Sequence, residues 1–264
     1  MCIVFIFYFN FYLKNNMKVL ISPTKTMSIN SSLRCKTTKP IFMNEANRIN
    51  LALSKWSEND LRLKMKLSEK LTSSTFTNIH EWGLKNEDRG QAIFSYQGTA
   101  FKHMDTSLWS EQDLIFSQNS ILILSAYYGL LRPLDQIAPY RLEMGIAHQV
   151  ISGCKTMYEF WRKKITEHLN QEEDEIILNL ASKEYSHVIS TDQLDKKWIN
   201  CDFYEMKNGK PKIVGNYAKA ARGLMVNYIV KNKINDVQDL MHFNEGNYEL
   251  DATNSSELNL KFIR

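Results

Sequence analysis

Residues that interrupt regular structure are scarce in this sequence. Only 10 glycines and 5 prolines occur among 264 residues, and no fixed-period repeat stands out, which excludes collagen-like and solenoid chains. Hydrophobic residues make up 44% of the chain, a share too high for an intrinsically disordered protein. At this length, one large domain or two small ones can form a full hydrophobic core. We therefore expect a compact globular protein.

Cysteine and histidine are too few and too scattered to define a site by spacing. The four cysteines form no CxxC pair, and the six histidines show no HExxH spacing. The sequence therefore encodes neither a zinc knuckle nor a local disulfide framework. We expect no metal and no cofactor, and reduced thiols fit a cytoplasmic protein.

Charge of one sign is not in large excess. Lys and Arg total 33 against 29 Asp and Glu, which gives a formal net charge of +4. Such a surplus predicts no partner by itself, because nucleic-acid binding depends on cations gathering on one surface. The positions of the cations in the fold must decide this point.

The first sixteen residues, MCIVFIFYFNFYLKNN, differ from the rest of the chain. Their apolar run is shorter than the roughly 20 residues of a spanning helix, and it lacks the basic start and the cleavage site of a signal peptide. Met17 then opens MKVLISPTKT, a short strand that runs into a loop. We predict that residues 1–16 are a non-native extension, that 17–264 form a single domain, and that there is no membrane anchor.

Predicted strands alternate with predicted helices after Met17. Short apolar runs, typical of strands buried on both faces, occupy 19–22, 121–125 and 176–180. A further short strand is predicted at 92–96, and Asn208-Gly209 predicts a hairpin. Helical patterns cover 44–56, 110–118, 156–170 and 218–231. We predict a mixed α/β (α+β) single domain whose central mixed sheet is flanked by helices.

A helix, turn, helix unit is predicted over 57–82. Ser57 and Asp60 have the spacing of a capping box, so a helix is predicted to begin there and to continue to about Leu71. The Ser/Thr-rich stretch 72–75 is predicted to be the turn. The first helix carries Arg62, Lys64, Lys66 and Lys70.

Polar loops follow the predicted buried strands. VLI runs into SPTKT, ILIL into SAYYGLLRPLD, and IILNL into ASKEY. In open α/β sheets, ligands bind beyond the carboxyl ends of the strands, so these loops are the predicted site. Their arginines and tyrosines suit an anionic, phosphate-bearing ligand. The candidates are Lys25, Arg132, Arg141 and Lys183, with Tyr127, Tyr128, Tyr140 and Tyr185 among them.

Each of these residues also has a purely structural interpretation. Arg132 can pair with Asp135 within a turn, and Arg141 can pair with Glu143 along an edge strand. The adjacent tyrosines can pack in the core, and Lys25 can be an ordinary surface residue. Only convergence of these side chains in the fold would favour a shared binding site.

A second basic cluster lies in the predicted helix that contains NYAKAARGLM. Lys219 and Arg222 are three residues apart and therefore share one face. Three alanines and Gly223 keep the helix surface open to close approach by a ligand or another backbone. The alternative is a tightly packed helix whose cations extend to solvent.

Known catalytic signatures are missing. No GxSxG elbow, Walker loop, GxGxxG or kinase signature occurs. Asp135, Glu143, Glu184 and Tyr185 are candidates for proton transfer, but their residue types alone assign no reaction. Whether the protein is an enzyme stays open at this point.

Four segments together resemble the YaaA family of peroxide stress proteins. They are ISPTKT (21–26), LSAYYGLLRPLD with APYRLEMG (124–145), NLASKEY (179–185) and NYAKAARGLM (216–225). The resemblance runs in the same order from Met17 almost to the end of the chain. It implies a single α/β fold with a basic cleft and a helix-hairpin-helix-like element, for which 57–82 is the best match.

The resemblance also implies a function. It implies a cytoplasmic protein that is made under hydrogen peroxide stress, keeps free intracellular iron low, protects DNA and binds duplex DNA. We expect that binding to be independent of base sequence. The cleft residues carried over are Lys25, Arg132, Tyr140, Arg141, Ser182, Lys219 and Arg222, with Glu143 and Tyr185 beside them.

Two positions depart from the family pattern. The segment LTSSTF lacks the glycine of the hairpin, and Ala220 stands where a second lysine is common.

An alternative function is an enzyme that acts on an anionic, phosphate- or carboxylate-bearing small molecule in the same cleft, with Glu143 or Tyr185 transferring protons. Both hypotheses require the cations Lys25, Arg132, Arg141, Lys219 and Arg222 to line one concave surface.

Overall fold

The computed structural model describes residues 17–29, 35–84 and 87–264. The predicted non-native extension, residues 1–16, lies outside the described residues and stays a prediction. Within the described residues, no helix is long and apolar enough to cross a membrane. The described chain forms a single mixed α/β domain, as predicted.

An eight-stranded mixed sheet forms the centre of the described part of the chain. Five of its strands run parallel to one another: β1 (Met17–Ile21), β3 (Ile121–Ser125), β6 (Ile176–Asn179), β7 (Lys197–Lys207) and β10 (Asn259–Ile263). Across the sheet they lie in the order β3, β1, β6, β7, β10. Antiparallel strands β4 (Gly129–Leu131) and β9 (Glu249–Leu250) close the two edges, and β8 (Lys210–Lys212) pairs with β7. A separate small pair joins β2 (Gly90–Gln91) to β5 (Gln136–Ile137).

The buried apolar runs form the middle of the sheet. All residues of β1 and β3 are buried, and β6 is buried after its first residue. The register pairs Val19 with Ile121 on one side of β1 and with Leu178 on the other. Strands covered on both faces carry apolar residues at most positions, which is why these segments lack the usual alternation. The three predicted strands are confirmed.

Helices surround this sheet. They are α1 (Met43–Leu53), α2 (Glu58–Met65), α3 (Glu69–Glu81), α4 (Ala92–Ser95), α5 (Thr99–Met104), α6 (Glu111–Ser120), α7 (Met157–Gln171), α8 (Lys183–Ser186) and α9 (Gly215–Asn232). The capping box predicted at Ser57 and Asp60 is present, and a second one joins Ser110 to Asp113 at the start of α6. The buried stripe predicted for 156–170 includes Phe160, Trp161 and Ile165 on α7.

The predicted turn at 72–75 is wrong. The chain turns instead at 66–68, where Lys66 adopts a left-handed conformation and Ser68 caps α3. Residues 72–75 lie inside α3, because the hydroxyls of Thr72 and Thr75 donate to the carbonyls of Ser68 and Leu71 four residues earlier. Two packed helices are thus present, but a helix-hairpin-helix element is not confirmed.

The short strand predicted at 92–96 is also wrong. These residues form a single helical turn, α4, in which the Tyr96 amide donates to the Ala92 carbonyl. Pairing with β5 ends at Gly90 and Gln91, so the ladder does not reach the predicted strand. The predicted Asn208-Gly209 hairpin is confirmed, with both residues at positive φ between β7 and β8.

The position of β1 defines where a ligand can enter. The chain passes from β1 to β3 on one side and then returns to β6 on the other side. The loops that leave the carboxyl ends of β1 and β6 therefore diverge, and such a reversal of strand order leaves a crevice in open α/β sheets. The segments 22–26 and 180–185 border this crevice.

Candidate anion-binding cleft

A cleft of about 440 Å³ lies at the carboxyl ends of β1 and β6. Four parts of the chain line it: residues 22–26 after β1, the segment 97–104 that contains α5, residues 180–185 after β6, and one face of α9. Its volume is within the usual range of ligand pockets, about 300 to 1,000 Å³. The fold thus produces the crevice that the strand order predicts.

The close packing of α5 against α9 forms one wall of the cleft. A Cβ atom on Gly223 would lie 2.1 Å from the backbone oxygen of Ala100, so only glycine allows this approach. Gly98 is similarly close to the side chain of Thr24. The small residues of α9 were expected to allow close approach by a ligand or by another backbone. The structure shows the second case, because the backbone of α5 packs against Gly223. Lys219 and Arg222 are held beside that contact.

Four basic side chains line the cleft: Lys25, Lys102, Lys219 and Arg222. Lys25 pairs with Glu143, Nζ to Oε1 at 2.7 Å. Within the described residues, no carboxylate lies within ion-pairing distance of the other three cations. Glu184 also lines the cleft, but its Oε1 accepts a hydrogen bond from the Gly145 amide at 3.3 Å. The cleft therefore favours an anionic ligand.

Arg222 is the least hydrated of these cations. Burial lowers the pKa of its guanidinium, and the charge of Asp202 partly opposes that effect. Its Nε is buried and has no hydrogen-bond partner among the described residues. A buried donor without a partner is costly, so an anion bound at this side chain would recover the missing interaction.

A second, smaller cavity adjoins the cleft. It measures about 170 Å³ and lies between the α2–α3 turn and the loop at 141–148. Lys64, Lys66 and Arg141 line it, together with Glu143. Arg141 also donates from Nη1 to the backbone oxygen of Lys25 at 3.4 Å. Arg141 and Glu143 of this cavity thus both contact Lys25 of the cleft, and these contacts join the basic residues of the two cavities into one basic surface.

The structural alternative for Arg141, a pair with Glu143 along an edge strand, is wrong. Residues 141–143 form no strand, and Glu143 pairs with Lys25 instead. The Nε of Arg141 is buried without a partner in the described part of the chain, as is that of Arg222. Arg141 therefore stays a candidate for anion binding at the boundary between the two cavities.

Ser182 and Tyr185 follow β6 and line the cleft. The Ser182 amide donates to the Ser22 hydroxyl oxygen at 2.8 Å, and this bond ties the loop after β6 to the loop after β1. Burial raises the pKa of Tyr185 well above its usual range. This phenol is therefore protonated at neutral pH, where it can donate a hydrogen bond but is not ready to accept a proton.

Arg132 and Asp135 do not line the cleft. Arg132 Nη2 lies 3.0 Å from Asp135 Oδ1 and 2.9 Å from the backbone oxygen of Lys39. Asp135 is fully buried and also accepts a hydrogen bond from Thr38 Oγ1 at 2.6 Å. The structural interpretation of this turn is therefore confirmed. The geometry gives Arg132 no place on the cleft surface and gives Asp135 no access to a ligand.

Tyr140 belongs to a buried cluster of aromatic side chains. Its hydroxyl lies 2.7 Å from that of Tyr96 and 2.9 Å from Ser125 Oγ. Burial raises its pKa to about 12. Tyr127 and Tyr128 pack in the same cluster, which confirms the core interpretation for that pair. Tyr140 is thus part of the core and is not among the residues that line the cleft.

Sequence reasoning missed Lys102. The segment TAFKHM carries one lysine in a six-residue helix, so neither its composition nor its length indicated a site. The usable signal was Gly223, because a glycine within a regular helix often marks a close backbone approach. The contact of Gly223 with the Ala100 backbone brings α5, and with it Lys102, against α9.

Comparison of the sequence with known proteins identifies its family. The family model described as Peroxide stress protein YaaA matches residues 17–254. The chain belongs to the YaaA family of peroxide stress proteins. It is 36% identical over 253 residues to a UPF0246 protein of Crocosphaera subtropica, covering 94% of this chain and 100% of that protein.

Two further relatives extend this similarity. A UPF0246 protein of Francisella philomiragia is 35% identical over 256 residues, with 94% of this chain and 100% of that protein covered. A UPF0246 protein of Legionella pneumophila is 34% identical over 256 residues, with 94% and 99% covered. Membership of the YaaA family supports a role in peroxide stress.

Among the described residues, no group of three or more His, Cys, Asp or Glu side chains is placed to hold a metal ion.

Proposed function

We propose that this YaaA-family protein protects DNA during peroxide stress by binding duplex DNA through the basic surface that joins the two cavities. One observation carries the proposal. Cations from five separate parts of the chain converge there: Lys66 after α2, Lys25 after β1, Arg141, Lys102 on α5, and Lys219 with Arg222 on α9.

The arrangement suits a polyanion better than a single phosphate group. The basic residues are distributed along two adjoining cavities, and most reach the surface, where they can meet successive phosphates. Each neutralised phosphate releases counterions, so affinity must fall steeply with salt and depend little on base sequence. The lower free iron that the resemblance implies is included in the proposal as a cellular outcome, and no iron ligands are assigned.

The test compares cleft variants with a surface control. Lys219→Gln and Arg222→Gln should each reduce the slope of log affinity against log salt by about 0.9, as expected for one lost phosphate contact. Lys163→Gln removes an equal charge from a side chain of α7 that is 82% exposed, and it should leave the slope unchanged. Fluorescence anisotropy with a labelled duplex measures the slope.

The same variants test the cellular role. In cells that lack the native gene, the cleft variants should restore survival in hydrogen peroxide less well than wild type or Lys163→Gln. Salt-independent DNA affinity of the wild-type protein, or no DNA affinity at low salt, would contradict the proposal. Full peroxide protection by variants that no longer bind DNA would contradict the link between binding and protection.

A second candidate function is supported by Arg222. Its buried, unpartnered Nε lies beside a cleft whose volume suits a small molecule, and Ser22 and Ser182 supply hydroxyls on the same cleft surface. An enzyme or binding protein for a phosphate-bearing small molecule would use these groups. Titration calorimetry with inorganic phosphate tests this alternative: binding that Arg222→Gln abolishes supports it, and absence of heat with the wild-type protein argues against it.

A further inference from the structure

Strand β7 extends past the ends of its neighbours β6 and β10 at the end of the sheet where the cleft opens. Asn200 on β7 pairs with Asn179, the last residue of β6, and β7 continues to Lys207. Strand β10 pairs with β7 as far as Tyr204. The last three residues of β7 extend beyond that pair by about 10 Å at the usual rise of a strand. Together with β8 they form a two-stranded ribbon, residues 205–212, that projects past the carboxyl ends of the parallel strands.

The pairing of this ribbon places its lysines on one face. Lys207 lies opposite Lys210, and Glu205 lies opposite Lys212, whereas Met206 and Pro211 face the other side. All three lysines are exposed. Glu205 is buried, and its carboxylate is already bound by Tyr248 and Arg264. Within the described residues, none of the three lysines has an acidic partner.

This arrangement does not favour the stability of the ribbon. Like charges directly opposite each other on an antiparallel pair repel, and Lys207 and Lys210 occupy such positions. The repulsion disappears when a polyanion lies along the lysine face. A projecting two-stranded ribbon also has the dimensions of an element that can lie along or within a groove of a DNA duplex.

The ribbon is close enough to the cleft to contact the same duplex. The chain is short between Lys212, the last residue of β8, and Lys219 on α9. Three residues lead from Lys212 to Gly215, where α9 begins, and Lys219 lies four residues further along the helix. The two Cα atoms are therefore at most about 17 Å apart, the length of about five base-pair steps. A duplex that contacts Lys219 thus passes within reach of the ribbon.

We propose that the lysine face of the ribbon, formed by Lys207, Lys210 and Lys212, is a second contact with the phosphate backbone of duplex DNA, next to the cleft. This inference rests on the proposed DNA-binding function. The ribbon adds about three phosphate contacts to those of the cleft, so its contribution is independent of base sequence.

The test removes the ribbon charges together. The triple variant K207Q/K210Q/K212Q should lower the magnitude of the salt slope by about 2.7, so that its affinity loss between about 50 and 200 mM salt is about 40-fold smaller than that of wild type. A labelled duplex of about 30 base pairs and fluorescence anisotropy measure this slope. The triple variant K207R/K210R/K212R keeps the charges and should retain the wild-type slope.

The control carries the same charge change at three lysines that lie neither in the ribbon nor among the residues that line the cleft. The variant K163Q/K196Q/K197Q includes Lys197 at the first position of β7, and it should bind DNA with the wild-type slope. The lysines of the ribbon are exposed, so the two ribbon variants should have a thermal midpoint no lower than that of the wild-type protein. An unchanged slope in K207Q/K210Q/K212Q, with normal salt-dependent binding by wild type, overturns the ribbon contact alone. Absence of salt-dependent binding by wild type overturns the proposed function itself.

Discussion

The carboxylate of Glu143 neutralises Lys25 at the mouth of the cleft, with 2.7 Å between Lys25 Nζ and Glu143 Oε1. Arg141 contacts the backbone oxygen of the same lysine. The unliganded protein therefore holds one of its cleft cations in an internal ion pair. An entering anion must compete with Glu143 for Lys25, so this pair limits the affinity of the site.

Glu143→Gln should increase DNA affinity. The substitution removes a negative charge and releases Lys25, so the salt slope should grow in magnitude by about 0.9 and affinity at about 0.1 M salt should rise about five- to tenfold. Glu167→Gln releases Lys163 on α7 in the same way and should have no effect. Unchanged DNA binding together with lost peroxide protection in Glu143→Gln would instead favour the enzyme hypothesis.

Gly223→Ala should destabilise the protein and disturb the cleft. The added methyl group would meet the Ala100 oxygen at 2.1 Å, so α9 must move away from α5 at a cost of about 1 to 3 kcal/mol. Urea denaturation measures this loss. Gly215→Ala, at the start of the same helix, meets nothing within 4 Å and should be neutral or slightly stabilising. Equal stability of the two variants would contradict the close approach.

Arg264→Ala should reduce the free energy of unfolding by about 2 to 3 kcal/mol, because it leaves the buried Glu205 carboxylate without its charged partner. Arg264 Nε lies 3.0 Å from both carboxylate oxygens, and its guanidinium stacks on Tyr217 and Tyr248. In a Glu205→Gln background the same substitution should cost less, since no charge is left unpaired. A double-mutant cycle by chemical denaturation checks the coupling, and strict additivity would contradict it.

Asp113 should make the protein sensitive to acid. Burial alone raises the pKa of this carboxyl, but hydrogen bonds from Lys233, Ser110 and Lys231 outweigh burial and hold it below the usual range. A carboxyl with a lowered folded-state pKa stabilises the fold above its unfolded-state pKa, about 3.9, and this contribution is lost as pH falls through the folded-state value.

Asp113→Asn should therefore be less stable than wild type by about 1 to 2 kcal/mol at neutral pH, because both lysines are partly exposed and screened. Below about pH 4, the difference between the two proteins should shrink. Asp239→Asn, an exposed position, serves as the control and should follow the wild-type curve. Denaturation at several pH values tests this, and a constant difference from pH 7 to about pH 2 would contradict it.

Structural features that depend only on residues close together in the sequence were predictable. The apolar runs of β1, β3 and β6, the capping box at Ser57 and the Asn-Gly hairpin each have a local cause, and each is present. The turn at 72–75 was mispredicted because hydroxyls that favour turns can also donate to helix carbonyls four residues earlier. The sequence alone does not say which of these two bonds forms.

The cleft was predictable only in part. Lys25, Lys219 and Arg222 follow or face strand ends, and the structure places all three on one surface. Arg132 has equally suitable chemistry, but its partner Asp135 lies only three residues away and holds it in a turn. Lys102 reaches the cleft through a helix contact between residues far apart in the chain. Such long-range contacts have no local signature.

The central strand β1 is synthesised long before the strands that flank it. Val19 pairs with Ile121, and Met17 pairs with Ile176. Until those later segments leave the ribosome, the nascent chain carries an apolar strand with both edges unpaired, a state prone to aggregation. Folding of this protein therefore depends on chain segments meeting across long loops, and slow refolding that benefits from chaperones follows from that topology.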